Sequence, residues 1–218
     1  MYKAIIFDLD GTLLDTSKDI CKVLNKTLSH FSLPNVTLEQ TVEYVGNGAK
    51  KLIERAVPKD YERVEEVYKY YSKLFANDDS TLTELYEGEA QALKTFKDLG
   101  IKLAIVTNKP QDATETVCNQ HLSEYGFDFI AGNNGKFALK PDPALALYAM
   151  GNLGVKAEEC LFVGDGETDV LTAKNANMDG VSVLWGFRSK SQLEEAGATR
   201  FVKSYGELTS LVKSSNEK

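Results

Sequence analysis

Residues 1–16 read MYKAIIFDLDGTLLDT: an apolar run, Ala4-Ile5-Ile6-Phe7, stops at two aspartates one residue apart, Asp8 and Asp10, followed by Gly11 and Thr12. A short apolar run closed by a turn signal predicts a buried strand that delivers both carboxylates into a tight turn. Asp and Gly are common wherever strands end, so the doublet alone also fits an ordinary turn. Carboxylates this close raise each other's pKa unless a cation or a shared proton compensates, and a divalent metal is therefore expected. A calcium loop is a poorer fit, because its glycine comes later and the loop follows a helix.

Downstream, Thr16-Ser17-Lys18-Asp19 resembles a capping box, and Ile20, Val23, Leu24, Thr27, Leu28 and Phe31 recur at helical spacing until Pro34. Thr37 to Gln40 forms a second capping box, opening a short helix to about Val45. Gly46-Asn47-Gly48 breaks the chain before a helix over Ala49 to Val57, and Tyr61 to Phe75 carries a long amphipathic pattern. Residues 17 to 82 thus read as all helical.

The pattern then changes. Glu89 to Leu99 is a predicted helix closed by Gly100, and Ile101 to Val106 a strand ending at Thr107-Asn108. Further strands are expected at Phe127 to Ala131, Leu161 to Val163, Val181 to Trp185 and Arg200 to Val202, with helices between them. With Lys3 to Phe7 this makes five or six strands in an α/β, doubly wound parallel sheet with a Rossmann-like core. The helical block is too long for a simple crossover, so it is expected to be an inserted all-helical cap. The predicted division is a core of residues 1–16 and 83–218 and a cap of residues 17–82, with hinges at Asp15 to Ser17 and Thr81 to Gly88. The tail, Ser214 to Lys218, is expected to fray.

The 218 residues, 43% hydrophobic and 26% charged, suit a globular protein, and the formal charge of -7 argues against a nucleic-acid or anionic-membrane surface. No run is long enough for a membrane span and the first strand leaves no room for a signal peptide, so a cytoplasmic location is expected. Cys21, Cys118 and Cys160 have no metal spacing and read as reduced thiols, and His30 and His121 read as structural.

Three strands end in chemistry: AIIF at Asp8, LAIV at Thr107 and LFVG at Asp165. Ligands of open parallel sheets bind beyond the carboxyl ends of the strands, where the strand order switches direction, so one pocket can collect all three. Gly164-Asp165-Gly166-Glu167-Thr168-Asp169 starts like a dinucleotide turn, but its acids would repel a pyrophosphate. Asp8, a backbone carbonyl near Asp10, and Asp165 form an oxygen-only set suited to magnesium. Lys140, ahead of Pro141-Asp142-Pro143, fits a solvated surface residue as well as a site cation; in the site it would keep Asp8 ionised and bind a phosphoryl oxygen.

With these residues the chain resembles the haloacid dehalogenase-like superfamily, specifically its phosphatases. The matching motifs are Asp8-Leu9-Asp10-Gly11-Thr12, Thr107, Lys140, and Gly164-Asp165 with Asp169, in that order. The resemblance implies that Asp8 is a nucleophile forming an aspartyl phosphate and that Asp10 is the acid and base. It implies that Thr107 and Lys140 hold the phosphoryl group, with Asn108 among the substrate-binding residues, and that Mg2+ is bound at Asp8, Asp10, Asp165 and Asp169. Asp169 would orient a metal-bound water or Lys140, with Glu167 the alternative.

Gly46-Asn47-Gly48-Ala49 and Trp185-Gly186-Phe187-Arg188 are similar to the corresponding loops of phosphoglycolate phosphatases. The resemblance implies a small phosphate ester as substrate, with 2-phosphoglycolate leading. Backbone amides of the flexible turn at Gly46 and Asn47 would meet its carboxylate, helped by Lys50, Lys51 or Arg55. Sugar phosphates, pyrophosphate, nucleotides and mutase chemistry are the alternatives. Receiver domains, a different class, place the phosphorylated Asp on the third strand and lack a cap. A monomer or a homodimer fits the size.

Overall fold

In a computed structural model, residues 1–216 form a six-stranded parallel sheet wrapped by helices, with four helices inserted after the first strand. In chain order the first elements are β1 (Ala4–Phe7), β2 (Leu14–Asp15), α1 (Ser17–His30), α2 (Leu38–Tyr44), α3 (Ala49–Ala56), α4 (Val64–Ala76) and β3 (Glu84–Leu85). Then follow α5 (Glu89–Asp98), β4 (Lys102–Pro110), α6 (Gln111–His121), β5 (Phe129–Asn133), α7 (Ala144–Leu153), β6 (Cys160–Gly164), α8 (Glu167–Asn175), β7 (Asp179–Val183), α9 (Lys190–Glu195), β8 (Phe201–Val202) and α10 (Tyr205–Asn216).

The sheet order is β5-β4-β1-β6-β7-β8. The chain therefore winds outward from β1 to one edge, returns, and winds to the other, so the switch point lies between β1 and β6. Register places Phe7 beside Ile105 of β4 and Val163 of β6, aligning the three strand ends that precede Asp8, Thr107 and Asp165. Alternation along β1 sends Ile5 and Phe7 into one core with α5 and α10, and Ala4 and Ile6 into another with α7 and α8. Both faces are covered, which is why the strands read as continuous apolar runs.

The inserted helices share a core of their own, including Ile20, Leu24 and Leu28 of α1, Leu52 and Ile53 of α3, and Val67, Tyr71 and Phe75 of α4. Ala113 of α6 joins that cluster and seats the insertion on the sheet domain.

Several boundaries differ from expectation. β5 begins at Phe129. β7 ends at Val183, and Trp185 leaves the sheet to donate its indole N–H to the Thr12 carbonyl at 3.0 Å. The capping box at Thr37 and Gln40 forms with both hydrogen bonds, 2.9 and 3.2 Å. The one expected at Thr16 does not: the Thr16 hydroxyl donates to Asp10 at 2.7 Å, and Asp19 accepts from the Leu82 N–H and the Thr83 hydroxyl, each at 2.9 Å. Tertiary partners outbid the helix end for both side chains.

The linkers into and out of the insertion pair as an antiparallel ribbon, Leu14 opposite Leu85 and Asp15 opposite Glu84. At two residues per strand, the ribbon is too short to leave a periodic signal. Ser214 to Asn216 belong to the last turn of α10, and Asn216 exchanges hydrogen bonds with the Tyr2 backbone. The remainder of the expected frayed tail lies outside the described residues. No described helix is long and apolar enough to cross a membrane.

Candidate active site

The switch point gathers Asp8, Asp10, Thr107, Lys140, Asp165 and Asp169. Asp8 directly follows β1, its N–H bonded to the Val163 carbonyl at 2.9 Å. The chain then turns through Gly11 at φ +85, where a β-carbon would strike the Asp165 carboxylate. Only glycine allows that approach. Thr12 donates to Asp165 Oδ1 at 2.9 Å, while its carbonyl accepts from Trp185 and from the Tyr205 hydroxyl, 2.8 Å. Asp165 Oδ2 accepts from the Phe187 N–H at 2.7 Å, so both of its oxygens are aimed.

Lys140 reaches in from the loop before α7, its side chain 1% exposed, with Nζ 2.6 Å from Asp169 Oδ1 and 2.9 Å from Asp8 Oδ1. The approach to Asp8 is an ion pair without hydrogen-bond alignment, so the buried Asp8 Oδ1 has no hydrogen-bond donor. Asp169 also accepts from the Gly166 N–H at 2.9 Å. Burial raises the Asp8 carboxyl to about 6, aided by Asp169 and opposed by Lys140. Burial, with the Asp169 and Asp8 charges, raises Asp165 to about 7. Burial alone would lower the Lys140 ammonium, but Asp169 and Asp8 outweigh it and keep its pKa raised.

Oxygens of Asp8, Asp165 and Asp169 lie within 4.8 Å of one another. Counting Asp10, four carboxyls here face two ammoniums, Lys140 and Lys109, so with all four ionised the largely buried site would carry an excess of two negative charges. That charge, which a cation would offset, and the all-oxygen donor set of Asp8, Asp165 and Asp169 fit a hard divalent cation. Glu167 is turned away to Arg188, at 3.1 Å, so Asp169 is the acid of α8 that faces the cluster.

Asp10 is held by two donors on one oxygen: the Thr16 hydroxyl at 2.7 Å and Lys109 Nζ at 2.8 Å both meet Oδ1. Among the described residues Oδ2 accepts nothing, and Asp10 faces the pocket between sheet and insertion. The Asp10 side chain lies outside the three-carboxylate cluster.

The expected substrate-binding residues separate. Thr107 is buried and its hydroxyl accepts the Lys109 N–H at 3.3 Å, leaving the hydroxyl proton without an acceptor among the described residues. The Asn108 side chain is spent on backbone: it donates to the Gly46 carbonyl at 3.0 Å and the Lys140 carbonyl at 3.1 Å, and accepts from the Lys140 N–H at 2.8 Å. It is a brace between insertion and Lys140, with no free amide for a ligand. Gly46 lines the pocket. Asn47 does not; it faces an outer groove and accepts from Arg55 at 2.7 Å. Lys50 and Lys51 pair with Glu65 and Glu54 on the exposed face.

Lys109 escaped the sequence reading, and Arg188 entered it only as part of the family-like loop Trp185-Gly186-Phe187-Arg188. Lys109 stands two residues beyond Thr107, hence on the same side of an extended strand, and that period of two was the available signal. Arg188 donates to the Val42 carbonyl at 2.9 Å and the Val45 carbonyl at 2.5 Å, clamping the loop after β7 to the end of α2. Nothing in its sequence neighbourhood foretells that contact.

The profile for haloacid dehalogenase-like hydrolases matches residues 5–183. The chain is 30% identical over 213 residues to phosphoglycolate phosphatase 1 of Pseudomonas aeruginosa, covering 94% of this chain and 78% of that protein. It is 33% identical over 214 residues to the phosphoglycolate phosphatase of Colwellia psychrerythraea, covering 94% and 95% of the two chains. Among solved structures, a provisionally assigned phosphoglycolate phosphatase from Lactobacillus delbrueckii subsp. bulgaricus superposes with a TM-score of 0.91 at 30% identity, over 97% of this chain and 98% of that one.

Proposed function

The chain belongs to the haloacid dehalogenase-like hydrolase family and is a phosphoric monoester hydrolase; on that premise we propose that it hydrolyses 2-phosphoglycolate through an aspartyl phosphate on Asp8. The observation that carries the mechanism is the division of labour between two neighbouring carboxylates. Asp8 is paired with Lys140 yet has an oxygen without a hydrogen bond, whereas Asp10 is anchored through Oδ1 and presents Oδ2.

An Asp8 oxygen attacks phosphorus and the ester P–O bond breaks. The leaving alkoxide takes a proton from Asp10 Oδ2. Water then attacks the phosphoryl group, returns a proton to Asp10, and phosphate departs with Asp8 regenerated. Lys140 and the Thr107 hydroxyl donate to the phosphoryl oxygens throughout. Asp8, Asp165 and the Asp10 carbonyl would hold Mg2+, which supplies neutralisation of phosphoryl charge. Asp169 aligns Lys140. Residues 17–82 act as the cap over a core of residues 1–16 and 83–218, closing on the β2–β3 linkers to exclude water. The substrate rests on the run of phosphoglycolate phosphatases among the relatives.

The experiment is phosphate release from 2-phosphoglycolate, sugar phosphates, pyrophosphate and nucleotides, with Mg2+ and after chelation. Preference for 2-phosphoglycolate, loss on chelation and loss of at least about 1,000-fold in Asp8→Asn with folding intact are expected. Preference for a sugar phosphate would replace the substrate; full activity of Asp8→Asn would remove the mechanism.

A further inference from the structure

We infer that Lys109 is the residue that selects an anionic leaving group, binding the carboxylate that 2-phosphoglycolate carries and neutral esters lack; this rests on the phosphatase reading above. The side chain is 3% exposed, with Nζ 2.8 Å from Asp10 Oδ1 and 4.4 Å from the centre of the Phe75 ring. A cation is thereby fixed where the core meets the insertion, beside the carboxylate that faces the leaving oxygen.

The surrounding walls make this cation conspicuous. The insertion lines the pocket with Ile20, Val45, Leu52, Tyr71 and Phe75, none of them charged. The basic residues of α3 point elsewhere, Lys50 to Glu65, Lys51 to Glu54 and Arg55 to the Tyr44 carbonyl and Asn47. Lys109 is the one cationic side chain in that pocket lining.

An ammonium has three N–H donors. Among the described residues, one is used on Asp10 and the ring face of Phe75 attracts the charge from another side. Donor capacity remains on a side chain that is largely buried, where an unfilled charged donor is costly. Asp10 Oδ2 meets the leaving oxygen, and in glycolate the carboxylate carbon is two bonds from that oxygen. A ligand placed on Asp10 therefore brings its carboxylate to Lys109. A neutral terminus would leave the donors unfilled, and a polar site rejects such an analogue more strongly than an apolar one does.

The rival account makes Lys109 only a prop for Asp10, a task the Thr16 hydroxyl shares on the same oxygen. Its loss would then weaken every substrate alike. The decisive measurement is kcat/KM for 2-phosphoglycolate divided by kcat/KM for 2-hydroxyethyl phosphate, in wild type, Lys109→Met and Lys109→Arg, all with Mg2+. Because both substrates meet the same preparation, the ratio is independent of the fraction folded.

Wild type should favour 2-phosphoglycolate. Lys109→Met, which keeps the apolar stem against Phe75, should lower the ratio by at least about 30-fold, mainly through KM. Lys109→Arg should recover part of it. A wild type that prefers 2-phosphoglycolate with Lys109→Met keeping that preference, or losing both activities equally, overturns the role of Lys109 and leaves the substrate standing. A wild type without the preference overturns both.

Discussion

Replacing Glu89 by glutamine should remove a large part of the pH dependence of folding between about pH 5 and 8. Glu89 opens α5 with no exposed surface; its Oε1 has no hydrogen-bond partner and its Oε2 accepts only the Tyr86 N–H, at 3.3 Å. Burial raises its carboxyl to about 8, against a smaller opposing effect of that N–H. A carboxyl raised in the folded state binds its proton more tightly there than in the unfolded chain. Its ionisation penalty is therefore absent below the unfolded value of 4.5, grows as pH rises toward about 8, and is constant above.

At about 1.4 kcal/mol per pH unit, the raised carboxyl costs about 3 kcal/mol at pH 7 and about 5 kcal/mol above pH 8. Glutamine brings an amide that lacks a partner, a penalty of about 1–3 kcal/mol that does not vary with pH. The two curves should cross, with Glu89→Gln the more stable form at alkaline pH. Urea unfolding of both proteins at several pH values gives the difference, in which every other titrating group cancels. Parallel stability curves from pH 5 to 8 would refute the assignment of a buried, protonated Glu89.

Two further outcomes follow from the packing. Gly11→Ala should cost well over 100-fold in kcat/KM, because the new methyl displaces Asp165 and the residue cannot hold its positive φ without strain; steady-state kinetics beside a thermal melt separates site damage from unfolding. Arg188→Met should lose about 2–3 kcal/mol of stability and raise KM more than it lowers kcat, since two carbonyls at the end of α2 and Glu167 lose their partner and the insertion loosens over the pocket; equal KM in variant and wild type would show that the clamp does not position the insertion.

The strand ends were legible because each is a local signal. An apolar run stopping at Asp8, Thr107 or Asp165 is visible within a few residues, and parallel register then brings the three ends level whatever lies between them. Lys140 was legible only in company, since nothing adjacent to it differs from a surface lysine before a helix. Asn47 and Asn108 mark the other limit. Their residue types suit a ligand, but what a side chain is free to do depends on what packs against it: both polar atoms of Asn108 are spent on backbone, and the Asn47 oxygen accepts from Arg55.

By itself the sequence determined the alternation of strand and helix, the position of the helical insertion and the identity of the acids at the strand ends, because hydrophobic period and turn chemistry act over neighbouring residues. Tertiary structure alone decided that Lys109 meets Asp10, that Arg188 reaches Val45, and that Thr16 serves Asp10 in place of its helix. The first two contacts join residues 99 and 143 positions apart, and in the third a carboxylate brought within reach by the turn wins over the helix end. Contacts of that kind leave no period in the chain, and which of them forms is set by the burial and packing of the completed fold.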